Sequence, residues 1–362
     1  MQIAVKNRKL TLIGIVILSV FFLTLQQSCR PGENKSEQLN NSFVFKEKLS
    51  DYGFFKGKLR DLLPKKGVIP YELSTPLFSD YTVKDRFIIL PQGKSVEYTA
   101  QGPLDFPDST IIVKNFSYIN VQGQKIIIET RLLVKDPADH NWKVMNYLWN
   151  AAQTNAVKHI RGAKLAITLV DNNGNRHKTS YMVPNTNDCK RCHNNASKLM
   201  PIGPKARNLN FVRSGDSVNQ LAHWSARGLL KNMPDLEHVA QLPVWTDKDK
   251  YSLENRARAY LDVNCAHCHT KGGDAFNTGL FLNYEEDTPA HLGVDKAPVS
   301  AGGGAGGLNY DIIPGDSEHS ILLYRMNSIE PGTSMPELAR SIIHKEGVDL
   351  IRQWIDNMPK KK

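Results

Sequence analysis

Cysteine is scarce in this sequence: there are five among 362 residues, and four of them form two Cys-x-x-Cys pairs. Only Cys29 is left over, so the chain has no spare pair of thiols for a structural disulfide. Residues 51–187 contain no His-Glu-x-x-His or Ser/His/Asp pattern, and the glycine stretch 302–307 lacks the Lys-Ser/Thr ending of a phosphate-binding loop. Basic residues are not interleaved with aromatic ones, which argues against nucleic acid as a partner. These absences direct attention to the cysteine pairs.

Each pair belongs to the same five-residue motif: Cys189-Lys190-Arg191-Cys192-His193 and Cys265-Ala266-His267-Cys268-His269. In Cys-x-x-Cys-His, the two thiols can form thioether bonds to the vinyl groups of one haem, and the following imidazole can bind its iron. Histidine is only 11 of 362 residues, so finding it after both pairs by chance is expected about once in a thousand sequences. The sequence therefore predicts two covalently bound haem c groups, with His193 and His269 as iron ligands.

Zinc binding and a redox dithiol are the alternatives for such pairs. A zinc site shared by the two pairs is disfavoured because 73 positions separate Cys192 from Cys265, more than is usual in a zinc ribbon or finger.

Residues 1–28 have the pattern of an export signal. Lys6, Arg8 and Lys9 precede an apolar run of 16 residues, 10–25, which is too short for a comfortable membrane span. The stretch that ends in Ser28-Cys29 resembles the lipobox of bacterial lipoproteins, in which the cysteine carries the lipid. We expect export and a lipid anchor at Cys29 in a bacterial membrane, the outer membrane facing the periplasm or cell surface. An uncleaved anchor or a plain signal peptide is the alternative.

The formal charge of +10 becomes +7 once residues 1–28 are removed. This basicity favours acidic partners, so we expect acidic redox proteins. Residues 29–50 are polar and aperiodic, which predicts a flexible tether.

Residues 51–187 are predicted to form an antiparallel β-sandwich. The predicted strands are rich in β-branched and aromatic residues and cover 86–90, 109–113, 125–134, 142–149, 164–170 and 177–183. In the third strand, alternation places Ile126, Ile128, Thr130, Leu132 and Val134 on one face, and the turn residues 171–175 predict a hairpin between the last two strands. The domain's histidines, His140, His159 and His177, are interpreted as solvated side chains; the alternative is that one of them faces the first haem.

Residues 188–247 are predicted to be the first haem segment, with a helix over 217–231 capped by Ser217. Its sixth iron ligand stays open. Met200 and Met233, each followed by proline, are the two leading candidates; His223, His238, an upstream residue or an empty position are the others.

Residues 248–362 are predicted to be a second, helical haem domain. Ser252 caps a helix that runs up to Cys265, a short helix follows at 321–326, Met335 precedes a proline, and an amphipathic helix covers 346–357. This order resembles a class I cytochrome c over 251–358. The resemblance implies that Met335 is the distal ligand of the second iron.

The chain beyond residue 28 also resembles a family of uncharacterised bacterial dihaem cytochromes with a β-rich N-terminal part. The resemblance is carried by the stretches 76–80, 129–133, 181–184, 201–210 and 258–265. Together these features predict an α+β multidomain chain: signal peptide 1–28, tether 29–50, β-sandwich 51–187, and the haem segments 188–247 and 248–362.

The expected function is one-electron transfer by a carrier rather than a catalyst. A peroxidase-like enzyme with a five-coordinate first haem and a haem-containing binding or sensing module are the alternatives.

Overall fold

Antiparallel strands dominate the first half of the described chain. The computed structural model describes residues 42–299 and 301–360, so the signal peptide, Cys29 and the tether up to residue 41 lie outside the described residues. The strands are β1 Phe55–Lys56, β2 Leu63–Pro64, β3 Val68–Tyr71, β4 Val83–Ile89, β5 Val96–Glu97, β6 Ile111–Ile119, β7 Lys125–Lys135, β8 Trp142–Trp149, β9 Ala156–Lys158, β10 Ala163–Val170, β11 Arg176–Val183, β12 Asn194–Asn195, β13 Lys198–Leu199 and β14 Leu230–Lys231.

The main sheet has six antiparallel strands in the order β3-β4-β6-β7-β8-β9. Strands β10 and β11 form the predicted hairpin, in which Val170 pairs with Arg176 across the turn. The hairpin packs Tyr181 and Val183 against Ile128 of the main sheet. The expected antiparallel, β-rich region is therefore present, but its second layer is this hairpin together with non-strand segments rather than a second full sheet.

A β-bulge changes the predicted faces of β7. The register shifts between Phe116 and Ser117 of β6, and an extra residue in one strand reverses the alternation beyond it. Ile128 consequently packs with Tyr181, whereas Leu132 packs in the opposite core with Val113. The expectation that Ile128 and Leu132 share a face was wrong for this reason.

The folded body begins earlier than expected. Residues 43–50 were assigned to the tether, yet Leu49 is buried and packs in the core with Tyr147. The Phe43 backbone amide also donates to Asp136, and the Lys46 carbonyl accepts from the Tyr147 hydroxyl. Apolar residues within a polar stretch anchor it to the sheet.

The α-helices of the described residues follow strand β11 in the chain. They are α1 Thr186–His193, α2 Ala206–Leu209, α3 Gln220–Ala226, α4 Leu253–Asn264, α5 Ile321–Met326 and α6 Lys345–Asp356, and short 3-10 turns occur at Leu49–Tyr52, Leu59–Asp61, Leu236–His238, Phe276–Thr278 and Gly302–Ala305. Helix α3 is shorter than predicted, because Asn219 and not Ser217 caps it and Leu230–Lys231 pairs in parallel with β5.

Two cores hold the helical part. Leu209, Leu221 and Trp224 of residues 188–247 share one core with Ile88 and Ile112 of the main sheet. Helices α4, α5 and α6 enclose a separate core around Leu261, Ile351 and Trp354. Residues from Phe43 onward form one compact unit. Within 42–299 and 301–360, no helix combines the length and apolar character needed to cross a bilayer.

Candidate cofactor site

Both cysteine motifs open onto one cavity with a volume of about 400 Å³. Among the residues that line it are Cys189, Cys192, His193, Cys265, Cys268, His269 and Met335. Apolar side chains such as Leu282, Ile312 and Ile321 complete much of the wall, and the volume lies within the usual range for ligand and cofactor sites, about 300–1,000 Å³. The fold thus brings together residues that lie far apart in the sequence.

The first motif forms the last turns of α1. Asn185 caps this helix by accepting from the backbone amides of Asn187 and Asp188, and Asp188 accepts from the Asn185 amide in return. The helix lies on β8, where the Cys189 thiol contacts the Asn146 side-chain oxygen at 3.7 Å. A reciprocal cap of this kind fixes where the helix starts, and therefore where Cys189, Cys192 and His193 point.

The second motif follows α4 directly and turns tightly. The backbone amides of Cys268 and His269 both donate to the Cys265 carbonyl, at 3.1 and 3.0 Å. Gly273 passes so close to the Cys268 carbonyl that a Cβ atom there would clash with it. The turn presents both thiols and the imidazole to the same cavity.

The histidine that ends each motif is oriented through Nδ1. His193 Nδ1 donates to the Met200 carbonyl at 2.8 Å, because a carbonyl can only accept. His269 Nδ1 lies 3.3 Å from the Thr278 hydroxyl, which itself donates to the Ala275 carbonyl and so is left to accept from the ring. Metal-binding histidines are held in this manner. In both rings Nε2 is left free to bind a metal.

Burial affects the protonation of these groups. It lowers the pKa of His193 and of His269 to about 4, so both rings are neutral at pH 7, the form that binds metals. Burial also raises the pKa of Cys265 to about 12 and raises that of Cys189.

Direct contacts tie the two motifs together. Arg191, inside the first motif, forms ion pairs of 3.1 Å with Asp274, beyond the second motif, and with Glu337, beyond Met335. The Ala196 amide also donates to the Gly272 carbonyl at 2.8 Å. Three segments that reach the cavity are therefore fixed relative to one another.

The contact between the motifs extends to their sulfur atoms. Ligand atoms of Cys192, His267 and Cys268 all lie within 4.8 Å of one another. The Cys268 thiol hydrogen bonds to the Cys192 sulfur, which lowers the pKa of Cys192 and raises that of Cys268. The 73-residue separation that argued against a shared zinc site is thus bridged in space.

One detail of this cluster does not suit a structural zinc site. Such sites have four protein ligands, whereas the cluster among the described residues has three. The rings of His193 and His269 are each oriented through Nδ1, whereas the Nδ1 atom of His267 is buried without a hydrogen-bond partner.

Neither leading candidate for the sixth ligand of the first iron lines the cavity. Met200 holds His193 through its backbone on the Nδ1 side, and neither Met200 nor Met233 is among the described residues that line the cavity. Met233 packs against the core beneath the sheet. His223 and His238 are exposed and do not line the cavity either.

The β-domain histidines also lie away from the cavity lining. His140 pairs with Asp108 at 2.6 Å, His177 pairs with Asp171 at 2.7 Å, and His159 Nε2 donates to the Gly162 carbonyl. Sequence reasoning overlooked instead three residues that hold the motifs: Asn146, Thr278 and Arg191. Nothing in their local sequence marks these roles, because Asn146 and Arg191 act across the fold and Thr278 is an ordinary hydroxyl in a short turn.

No protein-family model, curated protein or solved structure matches this chain.

Proposed function

We propose that this protein is an exported dihaem c-type cytochrome that transfers single electrons. The observation that carries the proposal is that two Cys-x-x-Cys-His motifs, each ending in a histidine with a free Nε2, open onto one cavity. Each pair of thiols would hold one haem by thioether bonds. Haem iron supplies a centre that accepts and releases one electron.

The residues around each motif suit such a carrier. The cysteines would attach each haem to a rigid element, and the Nδ1 hydrogen bonds orient the two imidazoles. Little rearrangement of the ligands would therefore be needed when the charge on the iron changes. Met335 lines the cavity with His269. A thioether ligand there favours Fe(II) and raises the reduction potential, in line with the resemblance of residues 251–358 to a class I cytochrome c.

The close approach of the motifs supports electron transfer within the molecule. The sulfur atoms of Cys192 and Cys268, which would be bonded to different haems, lie within 4.8 Å. An electron that enters at the haem of one motif would therefore have only a short distance to cross to the haem of the other.

A combined optical and EPR redox titration of the purified protein tests this function. We expect two low-spin ferric haems that are each reduced by one electron and do not react with peroxide or cyanide. A protein without covalent haem, or one that turns over peroxide, contradicts the proposal.

The second candidate is a peroxidase-like enzyme in which the first iron keeps an open position. The absence of Met200 and Met233 from the cavity lining among the described residues favours it. A high-spin ferric signal that is lost in His193→Ala but kept in His269→Ala, together with peroxide turnover, would identify this activity.

The proposal includes a membrane anchor at Cys29 and acidic redox proteins as partners. Replacing Cys29 with alanine should release the protein from membranes and leave the haem spectrum unchanged. Continued membrane association of the variant would overturn the anchor.

A further inference from the structure

Three basic residues lie side by side on the sheet face beneath the first motif. Arg86 of β4 pairs with Lys114 of β6, and Lys114 pairs with Arg131 of β7. Residues directly opposite each other in an antiparallel sheet point to the same face, and like charges in that arrangement are destabilising. We call Arg86, Lys114 and Arg131 the cationic row.

Only one member of the row has a carboxylate partner. Arg131 binds Glu129 through two hydrogen bonds, of 3.0 and 2.5 Å, and Tyr181 also donates to Glu129. Within residues 42–299 and 301–360, neither Arg86 nor Lys114 forms an ion pair, and Nη2 of Arg86 is buried without a partner. Arg86 and Lys114 are therefore left without an ion-pair partner among the described residues.

Lys114 is the unpaired member that reaches the cavity. It lines the cavity together with Phe116 and Arg131, and its Nζ lies 4.7 Å from the centroid of the Phe116 ring. Burial, followed by the neighbouring Arg86 and Arg131, lowers the pKa of Lys114 well below its usual value. Lys114 is partly buried, and an anionic partner would stabilise the charged form of its amine.

The row also has a fixed position relative to the first motif. Arg131 pairs in turn with Asn146 of the neighbouring strand β8, and the Cys189 thiol contacts Asn146. Because neighbouring strands lie about 4.8 Å apart, Lys114 lies roughly 10 Å along the sheet from the Cys189 attachment point. This span is comparable with the width of a haem, whose carboxylates lie on the edge opposite its thioether-forming groups.

We propose that the cationic row binds the carboxylates of the haem held by the first motif, with Lys114 as the main contact. The inference rests on the proposed function, since it takes the haem as the source of the anion. It gives the β-rich region a direct part in the cofactor site: the sheet supplies the charge, and α1 supplies the cysteines and the imidazole.

The test compares Lys114→Gln with Lys114→Arg in the haem-loaded protein. Loss of a cation beside the haem favours Fe(III), so in Lys114→Gln we expect one of the two Fe(III)/Fe(II) equilibria to shift by about tenfold, a fall of about 59 mV in that midpoint potential. Lys114→Arg keeps the charge and should restore most of the shift. Lys125→Gln, at an ion-paired surface lysine of the same sheet, is the matched control and should leave both potentials unchanged.

Several outcomes overturn the proposal. If both midpoint potentials are unchanged in Lys114→Gln, the cationic row does not contact the haem. If that variant still carries two covalent haems per chain, the proposed function stands. A change from low-spin to high-spin iron makes Lys114 an iron ligand instead. If added phosphate shifts a midpoint potential of the wild type but not of Lys114→Gln, the cationic row binds an anion from solution and not the haem carboxylates. A wild-type chain without covalent haem overturns both proposals.

Discussion

Two histidines carry most of the chemistry at the scale of single residues. The motif spacing predicts His193 and His269 as ligands, but only the fold reveals how they are held. Their Nδ1 atoms face Met200 and Thr278, partners seven and nine positions further along the chain. Because these partners are a backbone carbonyl and an ordinary hydroxyl, no sequence pattern could have identified them.

A third histidine, His344, gives a pH prediction. It is stacked on Phe78, its Nδ1 lies 2.9 Å from the Tyr260 hydroxyl, and burial lowers its pKa to about 4. The unfolded chain binds this proton below about pH 6.5, whereas the folded protein does not until about pH 4. The free energy of unfolding should therefore be highest above pH 6.5 and fall towards pH 4, by up to about 3 kcal/mol from this residue.

Urea unfolding of the wild type and His344→Gln across pH 4 to 7.5 measures this effect. The variant should lose part of the decline in stability between pH 6.5 and 4, because glutamine takes up no proton. Equal declines in both proteins would show that His344 does not contribute.

At the scale of elements, alternation and helical periodicity predicted most of the secondary structure. The final helix was expected over 346–357 and is found at Lys345–Asp356, and Ser252 caps α4 as predicted. The errors come from contacts between distant segments: the bulge opposite Phe116 reverses one strand's faces, and pairing with β5 ends α3 early.

The cap of α1 is a testable element because it sets the position of the first motif. Asn185→Ala removes the acceptor for two backbone amides, and such a loss costs about 1 kcal/mol. Asn187→Ala, an exposed position in the same helix, is the control. Urea unfolding should separate the two variants by about this amount, and equal midpoints would rule out the cap as a stabilising contact.

The packing of α6 against α4 gives a larger effect. Trp354 is 3% exposed in the core enclosed by α4, α5 and α6, so Trp354→Ala should reduce the free energy of unfolding by about 3–5 kcal/mol. Ile329→Ala, at a position that is 53% exposed, should change it by less than about 0.5 kcal/mol. Comparable losses in denaturant titrations of the two variants would contradict this assignment of the core.

At the scale of the whole molecule, the sequence predicted two haem motifs but not their closeness. They are 73 positions apart, and their proximity depends on ion pairs and hydrogen bonds made across the fold by Arg191 and Ala196. Long-range contacts of this kind leave no local pattern. The core that residues 188–247 share with the main sheet also consists of contacts between distant segments.

If each motif holds a haem as proposed, the closeness of the motifs predicts magnetic interaction between the two oxidised irons. The EPR spectrum of the wild type should differ from the sum of the spectra of two single-haem variants, Cys189→Ala/Cys192→Ala and Cys265→Ala/Cys268→Ala. Paramagnetic centres attached to sulfur atoms within 4.8 Å broaden or split each other's signals. A wild-type spectrum equal to the sum would mean that the irons are magnetically isolated.

The most direct test of covalent haem attachment is the mass of the protein purified from an organism that exports it and assembles haem c. The account predicts an intact mass equal to the processed polypeptide plus the lipid on Cys29 and two haem groups, with one haem on the peptide of Cys189 and Cys192 and the other on that of Cys265 and Cys268. A chain at the mass of the bare polypeptide, with zinc bound at Cys192, His267 and Cys268, would contradict it.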